Sequence, residues 1–137
     1  MTRRRIRFAP LALALMVSAC GSSPSTSPTT TTSGLTTENF TGTVAVAGTD
    51  SKTFTVTVTG EVDVTLTSAS PSVFMGLAVG VPGASGCVPL AGASQTVAAG
   101  TLVQVAGEVT PGTFCVLVSA LENQTAPVTY SVTVVHP

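Results

Sequence analysis

Residues 52–67 read KTFTVTVTGEVDVTLT, and this stretch decides the fold class. Apolar and polar side chains alternate on both sides of Gly60, the apolar ones being Phe54, Val56, Val58, Val62, Val64 and Leu66. A period of two places the apolar side chains on one face of an extended chain. The pattern therefore predicts two half-buried strands that turn at Gly60 and Glu61 and pair as an antiparallel hairpin.

The same composition continues on both sides of this hairpin. Val and Thr account for 21 and 24 of the 137 residues, and such β-branched side chains favour strands. Further strands are predicted at 41–47, 73–81, 101–105, 113–119 and 128–135, separated by turns rich in Gly, Pro, Asp and Asn. Because each strand buries only one face, we expect an all-β, two-sheet antiparallel β-sandwich of seven or eight strands, jelly-roll or immunoglobulin-like, over residues 38–137.

The segment 73–105 has a weaker pattern than the rest of this domain. It is rich in Ala and Gly, and its alternation is broken. Residues 73–79 are apolar on both faces, which predicts a central strand covered on both sides.

The first twenty residues differ from the rest of the chain. A basic segment at 1–7 precedes twelve mostly apolar residues at 8–19, too few to span a bilayer, which needs roughly 20. This pattern is typical of a secretory signal. Its last residues, Val17-Ser18-Ala19-Cys20, resemble the lipobox of bacterial lipoproteins. The resemblance implies that residues 1–19 are removed and that Cys20 is acylated, the alternative being an ordinary signal peptide with an incidental cysteine.

Acylation would make the mature protein a lipoprotein that is attached to a membrane without spanning it. Each buried methylene contributes about 0.8 kcal/mol, so two or more acyl chains form a stable anchor. The resemblance predicts export to the bacterial cell envelope, and the non-acidic Gly21 predicts the outer membrane if the organism is Gram-negative. Residues 21–37 contain 12 Ser or Thr and one apolar residue, a composition that predicts a disordered tether between Cys20 and the domain.

The distribution of charge excludes one class of partner. Four of the five basic residues lie within 1–7, and Lys52 is the fifth. From Cys20 onward the side chains carry one positive and six negative charges, a net of −5. A chain of this charge has no electrostatic attraction for nucleic acid or anionic lipid, so nucleic-acid binding is not expected and the acyl chains must hold the membrane alone.

Two cysteines remain after Cys20. Cys87 and Cys115 lie 28 positions apart in a chain predicted to be exported, where a remaining pair most simply forms a disulfide. A metal site is the alternative. It would need His136 as a further ligand, and the spacing matches no closed site.

Three segments of the domain resemble the pre-peptidase C-terminal domain of secreted bacterial proteins. They are FTVTVTGEVDVTL at 54–66, GTFCVLV at 112–118 and VTYSVTV at 128–134, and the resemblance spans residues 42–135. Members of that family are β-sandwiches that accompany peptidases as non-catalytic appendages, and some bind calcium. The resemblance therefore implies a non-catalytic sandwich, although no peptidase domain accompanies these segments and their middle lacks an Asp-rich run.

Few residues offer chemistry. The single histidine, His136, is expected to fray, because it lies next to the last residue. Asp50, Glu61 and Asp63 would form an acidic cluster only if two turns met, and outward-facing charges are the simpler expectation. Phe54, Phe74, Phe114 and Tyr130 alternate with polar neighbours as core residues do, which leaves Phe40 as the one aromatic free for a sugar.

We therefore predict no catalytic residue, metal or cofactor. The expected function is that of a non-catalytic, membrane-anchored lipoprotein whose β-sandwich serves envelope structure or interaction with an envelope protein. The alternative is a glycan- or peptide-binding module, with or without calcium.

Overall fold

A computed structural model describes residues 34–137. The predicted signal peptide, the candidate lipid attachment site Cys20 and most of the predicted tether lie outside the described residues. In the described part the chain forms eight strands and no helix: β1 (Thr36–Val44), β2 (Thr49–Val56), β3 (Gly60–Ser70), β4 (Met75–Gly83), β5 (Gly86–Val97), β6 (Val105–Val109), β7 (Gly112–Ser119) and β8 (Val128–His136). No helix in this range could therefore cross a membrane.

The eight strands form two antiparallel sheets of four. The first, sheet A, has the order β1-β8-β3-β6, and the second, sheet B, has the order β2-β7-β4-β5. Their inner faces enclose one core, whose largest fully buried side chains are Leu66, Met75 and Leu77, with valines from both sheets around them. The predicted all-β sandwich is confirmed, and the alternation of Val with Thr is its cause, since Val lies inside and Thr outside on most strands.

The predicted hairpin at 52–67 is wrong. β2 pairs with β7 in sheet B, whereas β3 pairs with β6 and β8 in sheet A, so the connection 57–59 crosses from one sheet to the other. Val58, expected in the core, lies in that connection with 44% of its side chain exposed. Alternation predicts which face of a strand is buried, but it does not tell which neighbour the strand pairs with.

The strand boundaries also differ from the predicted ones in two regions. β1 spans Thr36–Val44, so it begins and ends earlier than the strand predicted at 41–47 and starts just before the predicted domain boundary at 38. The segment 101–105, predicted as a strand, is mostly a loop, and the strands around it are β5 and β6. The prediction omitted β5 because nearly all of its side chains are exposed and leave no alternation.

The strand ends define two ends of the sandwich. The basal end is where β1 begins at Thr36 and β8 finishes at His136, which are partners in the same register. The loop end carries the connections 45–48, 71–74, 98–104 and 120–127. These connections contact one another: the Ala120 N–H donates to the Gly48 carbonyl, and the Gln124 amide donates to the Phe74 carbonyl.

Candidate functional site

The two cysteines of the described chain form a disulfide. The Cys87 and Cys115 sulfur atoms are 2.05 Å apart and the Cα atoms 5.8 Å apart. The predicted disulfide is confirmed, and the alternative metal site is wrong because both sulfur atoms are used in the bond. It joins β5 to β7 across β4, which lies between them in sheet B.

The disulfide holds one end of the β4–β5 hairpin over the outer face of sheet B. A Cβ on Gly80 would overlap the backbone carbonyl of Val88, so only glycine permits this close approach. Gly80 and Ala78 are buried as a result, although both lie on the outer face of β4. The prediction that this strand is central and covered on both sides is confirmed.

His136 is held firmly in the fold, and the expectation that it frays is wrong. It is 3% exposed, and its ring packs 5.3 Å from that of Phe54 between centroids. Its Nε2 lies 2.9 Å from Glu38 Oε1 on β1, and its Nδ1 lies 3.1 Å from the backbone oxygen of Pro137. Both ring nitrogens are therefore engaged, and the Nε2 contact with Glu38 links β8 to β1 at the basal end.

Tyr130 connects the two sheets through its hydroxyl group. The hydroxyl donates a hydrogen bond of 2.8 Å to Asp50 Oδ2 on β2, and Lys52 Nζ lies 3.4 Å from the same oxygen. Burial, followed by the hydrogen bond to Asp50 and the negative charge of Asp50, raises the pKa of Tyr130 well above its usual range. We interpret this cluster as a structural link between the two sheets, because Asp50 Oδ2 already has two partners, Tyr130 and Lys52.

The acidic cluster of Asp50, Glu61 and Asp63, the alternative to outward-facing charges, does not form. Asp50 belongs to sheet B, whereas Glu61 and Asp63 lie on the outer face of β3 in sheet A. Within residues 34–137, no three His, Cys, Asp or Glu side chains come together in a way that could hold a metal ion. The neighbour that sequence reasoning missed is Glu108 on β6, which lies directly opposite Glu61.

Two aromatic residues lie in environments opposite to the predicted ones. Phe40, expected to be free, is half-buried and packs against the core. Phe74, expected in the core, is 60% exposed in the connection 71–74 at the loop end. The alternation around Phe74 was misleading because β4 begins only at Met75.

The outer face of sheet A carries a shallow groove lined with hydroxyl groups. Its volume is about 370 Å³, and its lining includes Thr41, Thr43, Ser68, Ser70, Thr129 and Ser131. Some of these hydroxyl groups already form hydrogen bonds within the domain. For example, Thr129 Oγ1 donates to the Ser70 carbonyl. No aromatic ring except that of the buried Tyr130 lines this groove, so it lacks the exposed platform that sugars commonly stack on.

A more enclosed cleft separates the free edges of the two sheets on the side where β5 faces β6. We call it the edge cleft: Leu90–Ala93 of β5 form one wall, Val105–Val109 of β6 form the other, and Val62 and Val79 form its base. Its volume is about 160 Å³.

The shape of the edge cleft follows from two irregularities. The β4–β5 pairing shifts register between Ala78 and Gly80, so that residues 90–93 bulge outward, and Gly92 adopts a φ of +76° there. On the opposite wall, Gly107 occupies an inward-facing position opposite Val62 and presents no side chain. Sequence reasoning missed this cleft because both walls lie in or beside the segment without alternation.

No protein-family model matches the chain, and no curated protein matches it either.

Proposed function

We propose that this protein is a non-catalytic bacterial lipoprotein, anchored through Cys20 and exported to the cell envelope, that presents its β-sandwich for interaction with an envelope partner. The sequence Val17-Ser18-Ala19-Cys20 after a short apolar segment supports the anchor. For a Gram-negative organism, Gly21 favours the outer membrane as the destination. The proposal uses no cofactor.

One observation supports a particular orientation of the domain relative to the membrane. β1 begins at the basal end, so a tether from Cys20 would reach the domain there and leave the four connections of the loop end directed away from the membrane. Three of those connections expose large apolar side chains, among them Val46, Phe74 and Leu102. Connections on a rigid scaffold commonly carry binding residues.

The non-catalytic part of the proposal rests on the surroundings of the ionisable groups. His136 contacts Glu38 and a backbone oxygen, and Asp50 contacts Tyr130 and Lys52, so these groups serve contacts between strands and between sheets. A general base needs a free position from which it can reach a substrate proton. None of these contacts places a nucleophile beside such a base.

Metabolic labelling with radioactive palmitate tests the anchor. We expect label on the wild-type chain and none on the Cys20→Ala variant, normalised to protein amount. The double variant C87S/C115S is the matched control, because it removes the other two cysteines and should retain the label. Label that persists in Cys20→Ala, or that requires Cys87 and Cys115, would contradict lipid attachment at Cys20.

The alternative function is binding of a glycan or a peptide, and the surface favours a peptide over a glycan. The groove on sheet A offers hydroxyl groups without an exposed aromatic ring, whereas the edge cleft offers an apolar volume beside free strand edges. Free strand edges bind extended peptides through backbone hydrogen bonds.

A further inference from the structure

We propose that the edge cleft binds an extended peptide of alternating basic and apolar residues, which adds as a fifth strand to the free edge of β6. This inference deepens the proposed function by naming the class of partner, and it rests on that function only for the location of the protein. Three features of the described residues support it: the unpaired edge, the missing side chain at Gly107 and the uncompensated carboxylates at the rim.

The first feature is the free edge of β6. This strand pairs with β3 on one side and with no strand of residues 34–137 on the other. Its residues Val105–Val109 span about 17 Å at about 3.4 Å per residue. An unpaired edge presents a row of backbone donors and acceptors that another extended chain can satisfy.

The second feature is the apolar volume beside that edge. A Cβ on Gly107 would meet no atom within 4 Å, so the inward side of β6 is open at its centre. Cavities of about 150 Å³ with apolar walls accommodate a benzene-sized group. The edge cleft, at about 160 Å³, therefore has room for one branched or aromatic side chain of an added strand.

The third feature is the charge of the rim, which selects the partner. Glu108 lines the edge cleft, and Glu61 lies directly opposite it on β3, an arrangement of like charges that destabilises a sheet. Within residues 34–137, the side chains that contact a carboxylate as possible cations are Lys52, beside Asp50, and His136, beside Glu38, so neither of these two glutamates has a cationic partner there. A lysine or arginine on an added strand would supply one.

The geometry of a strand combines these requirements into one pattern. Successive side chains point to opposite faces, so a peptide whose apolar residues enter the cleft places the residues between them beside Glu108. Alternating basic and apolar residues satisfy both faces. A second copy of this chain is disfavoured as the occupant, because pairing two β6 edges would bring two copies of Glu108 toward each other.

The test measures binding of a fluorescein-labelled hexapeptide of alternating lysine and valine to the purified full chain in detergent, by fluorescence anisotropy. We expect saturable binding that exceeds binding of two controls, the alternating glutamate–valine peptide and a peptide with three lysines followed by three valines. The Gly107→Val variant places its Cβ in open space and occupies part of the cleft, so it should weaken binding by at least about tenfold, the loss expected from excluding one buried apolar side chain.

Two variants that remove the same charge measure how much the carboxylates at the rim contribute to binding. Glu108→Gln should weaken binding by about two- to fivefold, as for one exposed ion pair, and the double variant E61Q/E108Q should weaken it further. Glu122→Gln removes the same charge from an exposed side chain in the connection 120–127 and should leave binding unchanged. An equal loss with Glu122→Gln would mean unspecific attraction and would overturn the proposal.

Other outcomes would overturn it as well. Binding that survives in Gly107→Val would place the peptide elsewhere, and so would equal binding of the block peptide. Self-association that Gly107→Val abolishes, without peptide binding, would make a second copy the occupant. If Gly107→Val does not fold, amide chemical shifts of the wild type decide: the peptide should perturb residues 105–109 and leave 36–44 on the opposite edge unchanged. None of these readouts requires acylation, so a failure here is distinct from a failure of palmitate labelling.

Discussion

The hydroxyl group of Tyr130 is the single polar group that joins β8 of sheet A to β2 of sheet B through a side-chain hydrogen bond, among the contacts found in residues 34–137. Gly42 makes this bond possible, because a Cβ at that position would overlap Asp50 Oδ2. The tyrosine thus supplies a specific contact where the valines supply only apolar surface. Removal of the hydroxyl group alone should weaken the association of the two sheets without opening a large cavity.

Tyr130→Phe should lower the free energy of unfolding by about 1.5–3 kcal/mol, the usual contribution of a hydrogen bond to a charged group. Urea unfolding at neutral pH measures this difference. Thr129→Val, which removes an exposed hydrogen bond on the neighbouring residue, should change the free energy by no more than about 0.5 kcal/mol. Equal effects of the two substitutions would show that the link through Asp50 does not stabilise the fold.

The raised pKa of Tyr130 predicts that the effect of Tyr130→Phe on stability depends on pH. The pKa of Tyr130 is raised in the folded protein, whereas in the unfolded chain it should be near 10. The contribution of the neutral hydroxyl is therefore complete below pH about 10 and is lost as the pH rises further, by up to about 1.4 kcal/mol per unit. The stability difference between wild type and Tyr130→Phe should shrink above that pH. A difference that stays constant to pH 11.5, about 1.5 units above the unfolded pKa, would contradict this.

Gly80 in sheet B and Gly107 in sheet A show that the effect of a missing side chain depends on its surroundings. Gly80 lies under the Val88 carbonyl, whereas Gly107 faces open space. Gly80→Ala should therefore cost about 1–3 kcal/mol through overpacking, and Gly107→Ala should be neutral or stabilising by up to about 1 kcal/mol, because glycine is unfavourable within a strand. Thermal unfolding of both variants measures this. A similar loss in both would mean that the backbone contact over Gly80 carries no specific constraint.

The disulfide attaches the β4–β5 hairpin, which also contains Gly80, to β7. Closing a loop of 28 residues stabilises a protein by about 3–4 kcal/mol in the chain-entropy account, so C87S/C115S should lose about that amount. Because β5 pairs with β4 and with no other strand of residues 34–137, hydrogen exchange should accelerate first at residues 81–90 and much less at the centre of β7. Uniform acceleration along both strands would show that the bond constrains only the unfolded chain.

At the level of elements, the sequence allowed correct prediction of strands where one face is buried and the other exposed. β3 and β8 follow this rule, and they occupy the centre of sheet A. The edge strands β5 and β6 escaped prediction, because an exposed strand needs no alternation and Gly107 removes the one apolar position at the centre of β6. The edge cleft is formed by those two strands, so the surface of most functional interest was the part least visible in the sequence.

The sequence also did not allow prediction of which strands pair with one another, for a different reason. Phe54 and Val64 both face the core, yet they belong to opposite sheets. A hairpin and a crossing between sheets bury the same residues, and a short connection such as 57–59 permits either. The cysteine pair was predictable, since its argument used only the count of cysteines and the expected oxidising compartment.

At the scale of the whole molecule, the predicted tether and the folded domain should be separable. Residues 22–33 consist only of Ser, Thr and Pro, a composition that offers no large apolar side chain to a core. Deleting 22–33 should therefore shift the unfolding temperature by no more than about 3 °C, as for a change of surface character. A flexible tether of this kind extends roughly 25 Å, and its deletion should bring the basal end close to the lipid.

The deletion should change access and leave affinity intact. In detergent, the shortened chain should bind the lysine–valine peptide as tightly as the full chain, because the edge cleft lies wholly within residues 62–109. In lipid vesicles, capture of the protein by beads that carry the same peptide should fall, since a domain held against the bilayer has fewer orientations that expose β6. A matched insertion of the same length and Ser/Thr composition restores the spacing and should restore capture. A loss of affinity in detergent would show that the tether contributes directly to binding, and unchanged capture in vesicles would show that its length is not needed for access.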